Sequence, residues 1–271
     1  NIRRKKQVEV HMNRKIGIIG CGNMGGAIIS QNQNAIVFDK DRKKIGDIKK
    51  KFRVKVAFDS QDLVKKSNIV IIAVKPQDID GVLEEIKSVI NRQLIISIAA
   101  GITTKYIENK IGGKVRVIRV MPNIAAQVKS GISAICKGKF AKNNDLKVTE
   151  KIFTKIGKVA KVKEKDIDAF TAIAGSGPAY FFYFIEALAD AGKKLGFKEK
   201  QMADFVIEVA KGSVKLLVEV KLSARELRER VTSKGGTTEA ALNVFKHDRF
   251  NQIIKEAVLK ATQRAKQLSR R

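Results

Sequence analysis

The sequence predicts a doubly wound α/β domain followed by an all-α domain, and two patterns lead to that prediction. From Lys15 to about residue 166, short runs of mostly β-branched residues alternate with helical stretches. Beyond Asp166 no convincing strand follows, and apolar residues recur at i, i+3, i+4 and i+7. Continuous apolar runs are typical of strands buried on both faces of a parallel sheet, whereas the second spacing is typical of amphipathic helices.

The α/β part contains six apolar runs with helices between them, which predicts parallel strands joined by helical crossovers. The runs lie at 16–19, 35–38, 54–57, 69–74, 94–98 and 115–120. Two further runs, 131–136 and 158–162, flank a predicted helix near 142–156, and we expect them to extend the sheet at one edge.

The all-α part contains three long periodic segments, 179–195, 200–220 and 250–268. Their apolar residues lie on more than one face, which exceeds what a small bundle buries, so dimerisation through these helices is expected. The predicted organisation is a basic extension over residues 1–14, an α/β domain over 15–163 and a helical domain over 164–271.

The composition is globular but strongly basic. Of 271 residues 44% are hydrophobic, which excludes low-hydrophobicity disorder, and the formal net charge is +28. Such a charge attracts nucleic acid, anionic membrane surfaces or small anions. Because Lys is spread along the whole chain and aromatic residues make up only 6%, a compositional bias towards Lys is favoured over a nucleic-acid interface.

Metal, disulfide and membrane classes are disfavoured. The two cysteines, Cys21 and Cys136, and the two histidines, His11 and His247, form no zinc-type spacing. No apolar run approaches the roughly 18 residues that span a bilayer, and no signal-peptide pattern follows the basic start. We expect a cytoplasmic protein without a bound metal or a membrane partner.

The first predicted strand runs directly into Gly20-Cys21-Gly22-Asn23-Met24-Gly25, a G-x-G-x-x-G turn that opens a helix. Gly20 would permit the tight turn, Gly22 would let the backbone approach a pyrophosphate, and Gly25 would let helix and strand pack closely. Asp39 follows about 20 residues later, at the end of the second strand, where such sites place the acid that binds a ribose 2′-hydroxyl. These features favour a dinucleotide site over a purely structural glycine turn.

The choice of dinucleotide stays open at this point. Asp39 would bind the 2′-hydroxyl of NAD, but Lys40 and Arg42 follow at once and can hold the 2′-phosphate of NADP. The fourth and fifth strands end in Ala73-Val74-Lys75-Pro76-Gln77 and Ala99-Ala100-Gly101, on the edge of the sheet that the glycine turn shares. Without that context, Lys75 would be interpreted as a solvated strand-end lysine.

Two breaks rich in glycine and hydroxyl residues precede helices in the C-terminal half. They are Gly175-Ser176-Gly177-Pro178 and Ser233-Lys234-Gly235-Gly236-Thr237-Thr238. Free backbone N–H groups at a helix start can bind an anion such as a carboxylate. Ordinary capping explains one such break, but two with adjacent glycines exceed what capping needs.

Taken together, these segments resemble the Δ1-pyrroline-5-carboxylate reductase family, the enzymes of the last step of proline synthesis. The matching motifs occur in family order at 18–25, 73–77, 121–123, 168–180 and 231–238, and the last two are the specific ones. The resemblance implies a Rossmann-type domain and a helical domain that intertwines with a partner's to form a homodimer, in some members a decamer. It also implies hydride transfer from NADPH or NADH to the C=N bond of 1-pyrroline-5-carboxylate, giving L-proline.

The resemblance implies site residues as well. Those expected to bind the cofactor are Gly20, Gly22, Asn23, Met24, Gly25, Asp39, Lys40, Ser60, Ala73, Val74, Lys75, Pro76, Ala99, Ala100 and Glu164. Those expected at the substrate are Ser233, Gly235, Gly236, Thr237 and Thr238, with Ser176, Gly177 and Pro178 shaping the pocket floor. The Thr238 hydroxyl is the expected catalytic group, close to the ring nitrogen of the substrate.

The chain departs from the family pattern at Ile124-Ala125, where Thr-Pro is common, and at Lys234, where Pro is common. Two alternatives stay open. One is another imine or deazaflavin oxidoreductase of the same superfamily, against which the two C-terminal motifs argue. The other is a non-enzymatic, NAD-sensing regulator that binds nucleic acid.

Overall fold

One mixed sheet organises the N-terminal half of the protein, and the computed structural model describes residues 14–269. Of the predicted extension over 1–14, only Arg14 lies within the described residues. The eight strands found in that range are β1 (Ile16–Ile19), β2 (Ile36–Phe38), β3 (Lys55–Val56), β4 (Ile69–Ile72), β5 (Leu94–Ser97), β6 (Arg116–Met121), β7 (Gly131–Lys137) and β8 (Gly157–Lys161).

The strand order is β3-β2-β1-β4-β5-β6-β7-β8. Strands β1 to β6 pair in parallel, β7 runs antiparallel to β6, and β8 pairs in parallel with β7. The predicted doubly wound sheet, with an added pair of strands at one edge, is therefore confirmed. Because β1 lies between β2 and β4, the chain changes direction across the sheet at β1, which is where such folds bind ligands.

Helices cover both faces of this sheet. They are α1 (Asn23–Ser30), α2 (Arg42–Lys51), α3 (Ser60–Lys65), α4 (Ile79–Ile86), α5 (Thr104–Ile111) and α6 (Asn143–Phe153). Alternate residues of the central strands enter two separate cores, since Ile71 packs with α1 and α6 while Val70 and Ile72 pack with α3, α4 and α5. Burial on both faces explains why these strands read as continuous apolar runs.

The described chain divides into two compact units, one of residues 14–175 with 262–269 and one of residues 176–261. The division comes later than the predicted boundary at residue 164. The reason is that α7 (Ile167–Phe170) and the π-helical turn Thr171–Gly175 remain with the sheet, where the fully buried Ile167 packs against Ala134 and Cys136.

The second unit is entirely helical in its described residues. It contains α8 (Gly177–Lys194), α9 (Glu199–Glu219), α10 (Ala224–Arg230), α11 (Thr237–His247) and the first part of α12 (Phe250–Leu268). The three predicted long helices are confirmed. Large apolar side chains stay exposed on the single chain, among them Phe181, Phe182, Tyr183, Val209, Val218 and Leu259. In residues 14–269, no helix is both long and apolar enough to cross a membrane.

A buried arginine, Arg119 of β6, connects the sheet to the segments around it. Only 3% of Arg119 is exposed, and its guanidinium lies 3.6 Å from Glu164 Oε1 and 3.7 Å from Asp168 Oδ1. The Glu164 carboxylate accepts hydrogen bonds from the backbone N–H and the hydroxyl of Thr104, at 2.7 and 2.6 Å. Asp168 accepts one from the Ser269 hydroxyl at 2.7 Å. These five residues, here the Arg119 cluster, join β6, α5, α7 and the end of α12.

Replacing Arg119 with Met should destabilise the protein by about 1–3 kcal/mol, because two partly buried carboxylates would lose the buried cation between them. Denaturant unfolding of the purified variant measures this. Lys66→Met is the matched control, since Lys66 pairs with Asp62 at an exposed site, where ion pairs contribute little. Equal stability of the two variants would contradict a structural role of the Arg119 cluster.

Both cysteines should be unreactive in the folded protein. Cys21 and Cys136 are free thiols, 6% and 3% exposed, and burial raises the pKa of each to about 12. Because the thiolate is the nucleophile, a disulfide-exchange reagent at pH 8 should label neither thiol in buffer and both in denaturant. Rapid labelling of the native protein would show that these side chains are accessible.

Candidate functional site

The glycine turn joins the end of β1 to the start of α1. Gly20 has φ +104°, and a Cβ on it would lie 2.5 Å from the Ala73 carbonyl oxygen. A Cβ on Gly25 would overlap the Gly20 carbonyl oxygen. The reasons predicted for Gly20 and Gly25, a tight turn and close packing, are therefore visible in the structure. A Cβ on Gly22 would meet nothing described within 4 Å, so the backbone is open there.

Helix α1 begins at this turn in a form suited to an anion. Gly22 is its N-cap residue, and within residues 14–269 no side chain caps the helix. The first N–H groups of a helix have no partner inside it, and the helix dipole adds positive potential at the same end. Asn23, Met24 and Gly25 thus present the backbone that a pyrophosphate would use.

Asp39 stands beside the glycine turn, at the end of β2. Its Oδ2 accepts a hydrogen bond from the backbone N–H of Cys21 at 2.7 Å, and its Oδ1 accepts one from that of Asp41 at 2.8 Å. The Gly20 N–H donates to the Phe38 carbonyl at 2.8 Å, which fixes the same two segments together. The carboxylate is therefore held in one place by the backbone.

The ends of β1, β2 and β4 enclose a crevice of about 270 Å³, here the strand-end crevice. Its lining is Ile19, Gly20, Gly22, Phe38, Asp39, Lys40, Asp41, Lys44, Ala73, Val74, Lys75, Asp78, Val82 and Glu85. The fold thus brings together seven of the predicted cofactor residues, including Lys75, which is an exposed strand-end lysine as well as a lining residue. The lining does not include the predicted Pro76, which begins the short 3₁₀ turn Pro76–Asp78.

Sequence reasoning missed the crevice residues on helices α2 and α4. Glu85 of α4 ion-pairs with Lys40 at 3.2 Å, and its other oxygen accepts a hydrogen bond from the Ser60 hydroxyl at 2.7 Å. Ser60 is only 2% exposed and its hydroxyl already donates to Glu85, so its contact with a cofactor stays a prediction. Val82 and Glu85 are three residues apart and therefore neighbours on the surface of α4. No local sequence pattern predicts that this helix lies beside the end of β2.

The predicted Ala99–Ala100 segment follows β5, and the end of α12 packs against the loop that it begins. Ala99 is 3% exposed, and Gly101 has φ +75°. A Cβ on Gly101 would lie 2.8 Å from the Leu268 carbonyl oxygen, so the last turn of α12 packs directly on this loop. Glu164 holds the start of α5 through Thr104, a few residues further on. The structure thus gives Glu164 partners within the chain, and its contact with a cofactor stays a prediction.

The second unit carries the other two predicted motifs. Gly236 is the N-cap residue of α11, which begins without a capping side chain among the described residues, and Gly235 has φ +73°. The Gly235 N–H donates to Glu239 Oε2 at 2.7 Å, whereas Thr237 and Thr238 form the first turn of the helix. The Gly236 N–H donates to the Ser233 carbonyl at 3.0 Å. In residues 233–238, here the 233–238 loop, the N–H groups that lack an intrahelical partner at the helix start are therefore those of Thr237 and Thr238.

The Ser176-Gly177-Pro178 motif opens α8 directly after the π-helical turn Thr171–Gly175. Ser176 is the N-cap residue and Pro178 stands in the first turn, where its missing N–H costs nothing. Asn123 fixes the turn from the sheet side, because its Nδ2 donates to the Ala174 carbonyl at 3.1 Å while its Oδ1 accepts from the Ile132 N–H. Single π-helical turns are frequent at functional sites.

Comparison with known families and proteins agrees with this geometry. Residues 164–268 match the family described as pyrroline-5-carboxylate reductase dimerisation, and residues 15–101 match that of F420-dependent NADP oxidoreductases. The pyrroline-5-carboxylate reductase of Methanosarcina acetivorans is 35% identical, over 96% of this chain and 99% of its own. That of Aquifex aeolicus is also 35% identical, over 94% of this chain and 97% of its own.

Solved structures show the same relationship. The pyrroline-5-carboxylate reductase of Coxiella burnetii superposes with a TM-score of 0.88 at 31% identity, covering 95% of this chain and 99% of that one. The pyrroline carboxylate reductase of Plasmodium falciparum, solved with NADP bound, gives a TM-score of 0.85 at 30% identity, covering 95% and 98%. With its strand-end crevice, its 233–238 loop and this similarity along nearly its whole length, the chain belongs to the pyrroline-5-carboxylate reductase family.

Proposed function

We propose that this protein reduces 1-pyrroline-5-carboxylate to L-proline with NAD(P)H. The observation that carries the proposal is the presence, in one chain, of a dinucleotide-type turn beside Asp39 and of the 233–238 loop at the start of α11. The similarity to a pyrroline-5-carboxylate reductase over 96% of the chain supports the same two substrates, the imine and the nicotinamide nucleotide.

The residues present fit a dinucleotide cofactor. The open backbone at Gly22 and the uncapped start of α1 suit a pyrophosphate, and Asp39 suits a ribose. Ala73, Val74 and the Ala99–Ala100 segment are small or apolar groups at strand ends, against which a flat ring can lie. When bound, the reduced nicotinamide supplies the hydride.

The substrate is a cyclic imine that carries a carboxylate. Its protonated C=N bond is already electrophilic, so the protein must position it and complement its charge rather than supply a strong acid. In this proposal the backbone N–H groups of the 233–238 loop bind the carboxylate, and the Thr238 hydroxyl orients the ring nitrogen. Ser176, Gly177 and Pro178 shape the pocket floor. His247 lies outside every motif and contacts Asp248 at 2.8 Å.

The assembly proposed is a homodimer formed through the C-terminal helices. The region that matches the dimerisation family, 164–268, includes α8 and α9, whose apolar side chains the single chain leaves exposed. Further assembly into a decamer, and a cytoplasmic location, stay predictions. Light scattering would identify the oligomer from the chain mass of 30.0 kDa.

Oxidation of NADH or NADPH in the presence of 1-pyrroline-5-carboxylate, followed in the nicotinamide absorbance band, tests the activity. We expect turnover that depends on both substrates and L-proline as the product. No oxidation of either nucleotide would refute the proposal. Steeply salt-dependent DNA binding without turnover would instead favour the regulatory alternative.

Thr238→Ala should lower kcat/KM for 1-pyrroline-5-carboxylate about 10- to 100-fold, or about 1.4–3 kcal/mol, because the hydroxyl no longer orients the imine. Thr154→Ala is the matched control, since the Thr154 hydroxyl bonds only within its own helix end. Thr238→Ser should retain most of the activity. If Thr238→Ala reacted as fast as the unmodified protein, Thr238 would have no part in the reaction.

A further inference from the structure

We propose that this protein prefers NADH to NADPH, and that Asp39 together with the Glu85–Lys40 ion pair determines the preference. The proposal deepens the proposed function and rests on it for the identity of the second substrate. It starts from the carboxylate at the end of β2. An acid at this place binds the ribose 2′-hydroxyl, whereas a 2′-phosphate requires a cation there.

The Asp39 carboxylate cannot easily turn away from this place. One oxygen accepts the Cys21 N–H and the other the Asp41 N–H, so its rotation would break hydrogen bonds at the glycine turn. A carboxylate has about four acceptor positions, and two remain for hydroxyl groups. A 2′-phosphate, unlike a hydroxyl group, has no proton to donate to Asp39 at neutral pH, and its negative charge would be repelled by the fixed carboxylate.

Two of the three lysines that line the crevice are paired with acids. Lys40 Nζ lies 3.2 Å from Glu85 Oε1, and Lys44 Nζ lies 3.8 Å from Asp41 Oδ2. Glu85 is also held from its other side, by the hydroxyl of the buried Ser60. Lys40 therefore lies towards α4, and a Cβ built on Gly81 of that helix would come within 3.8 Å of its Nζ.

Arg42, the second cation that the sequence offers for a 2′-phosphate, does not reach the crevice. It is the first residue of α2, exposed, and is not among the described residues that line the crevice. Of the two basic residues after Asp39, Lys40 is drawn towards Glu85 in an exposed ion pair and Arg42 is not part of the lining. Neither is placed as a free cation beside Asp39, where a 2′-phosphate would need one.

The local charge runs against the charge of the whole chain. The described lining contains four acids, Asp39, Asp41, Asp78 and Glu85, but only three bases, Lys40, Lys44 and Lys75. The complete chain has 55 basic against 27 acidic residues. Lys enrichment is thus reversed where a 2′-phosphate would enter, so the binding of that additional dianion is disfavoured.

Equilibrium binding of NADH and NADPH to the full chain, followed by nicotinamide fluorescence, tests the preference without the imine. We expect NADH to bind about tenfold more tightly or better. Asp39→Ser should improve NADPH binding while weakening that of NADH, and adding Glu85→Gln, which frees Lys40, should improve NADPH binding further. Glu84→Gln is the matched control, because Glu84 pairs with Lys87 outside the crevice and its loss should leave both affinities unchanged.

The outcomes separate charge selection from a merely structural role of Asp39. If Asp39→Ser weakened both nucleotides equally, Asp39 would only support the glycine turn and the inference would be overturned. Equal or tighter binding of NADPH by the unmodified protein would overturn it as well. Preferential NADH binding without reduction of 1-pyrroline-5-carboxylate would instead uphold the inference and refute the proposed function.

Discussion

The structure depends on the contact between the glycine turn and the two strands that flank β1. The Gly20 N–H bonds to the Phe38 carbonyl of β2, and the Ala73 N–H, just after β4, bonds to the Ile19 carbonyl. A side chain at Gly20 would strike the Ala73 carbonyl. Because β2 and β4 lie on opposite sides of β1, the connections after β1 and β4 run to opposite sides of the sheet, and the strand-end crevice lies between them. Asp39, the start of α1 and the small strand-end residues all take their positions from it.

The Arg119 cluster, in which a buried arginine lies between two partly buried carboxylates, connects β6 to the segments around it. Arg119 would be costly to bury alone, and its proximity to Glu164 and Asp168 compensates that cost. Through Thr104 and Ser269 the same group holds α5 and the end of α12, whose last turn packs on Gly101. Within the first unit, the segment 164–175 and the last turn of α12 are thus both held against the sheet.

Charge has a different meaning on the scale of the chain and on the scale of the site. The value of +28 reflects basic residues in excess of the acids along the whole chain, and only a few of the described lysines pair with an acid three or four residues away. The anionic groups of the proposed substrates would be bound by backbone N–H groups at the starts of α1 and α11, which carry no formal charge. In the crevice itself acids outnumber lysines, and the proposed preference between the two nucleotides rests on this difference rather than on the net charge.

The sequence by itself determined the strands, the long helices and the glycine-based motifs, because hydrophobic periodicity and the conformational freedom of glycine are local properties. It could not determine that residues 164–175 stay with the sheet, that Glu164 pairs with Arg119, or that Lys40 pairs with Glu85 rather than remaining free. These partners are far apart in the chain, and ion pairs have no periodic signature. In the sequence, Asp39 and Lys40 left the choice of nucleotide open. Only the tertiary structure, which brings α4 to the end of β2, pairs Lys40 with the Glu85 side chain and leaves Asp39 bonded to backbone N–H groups.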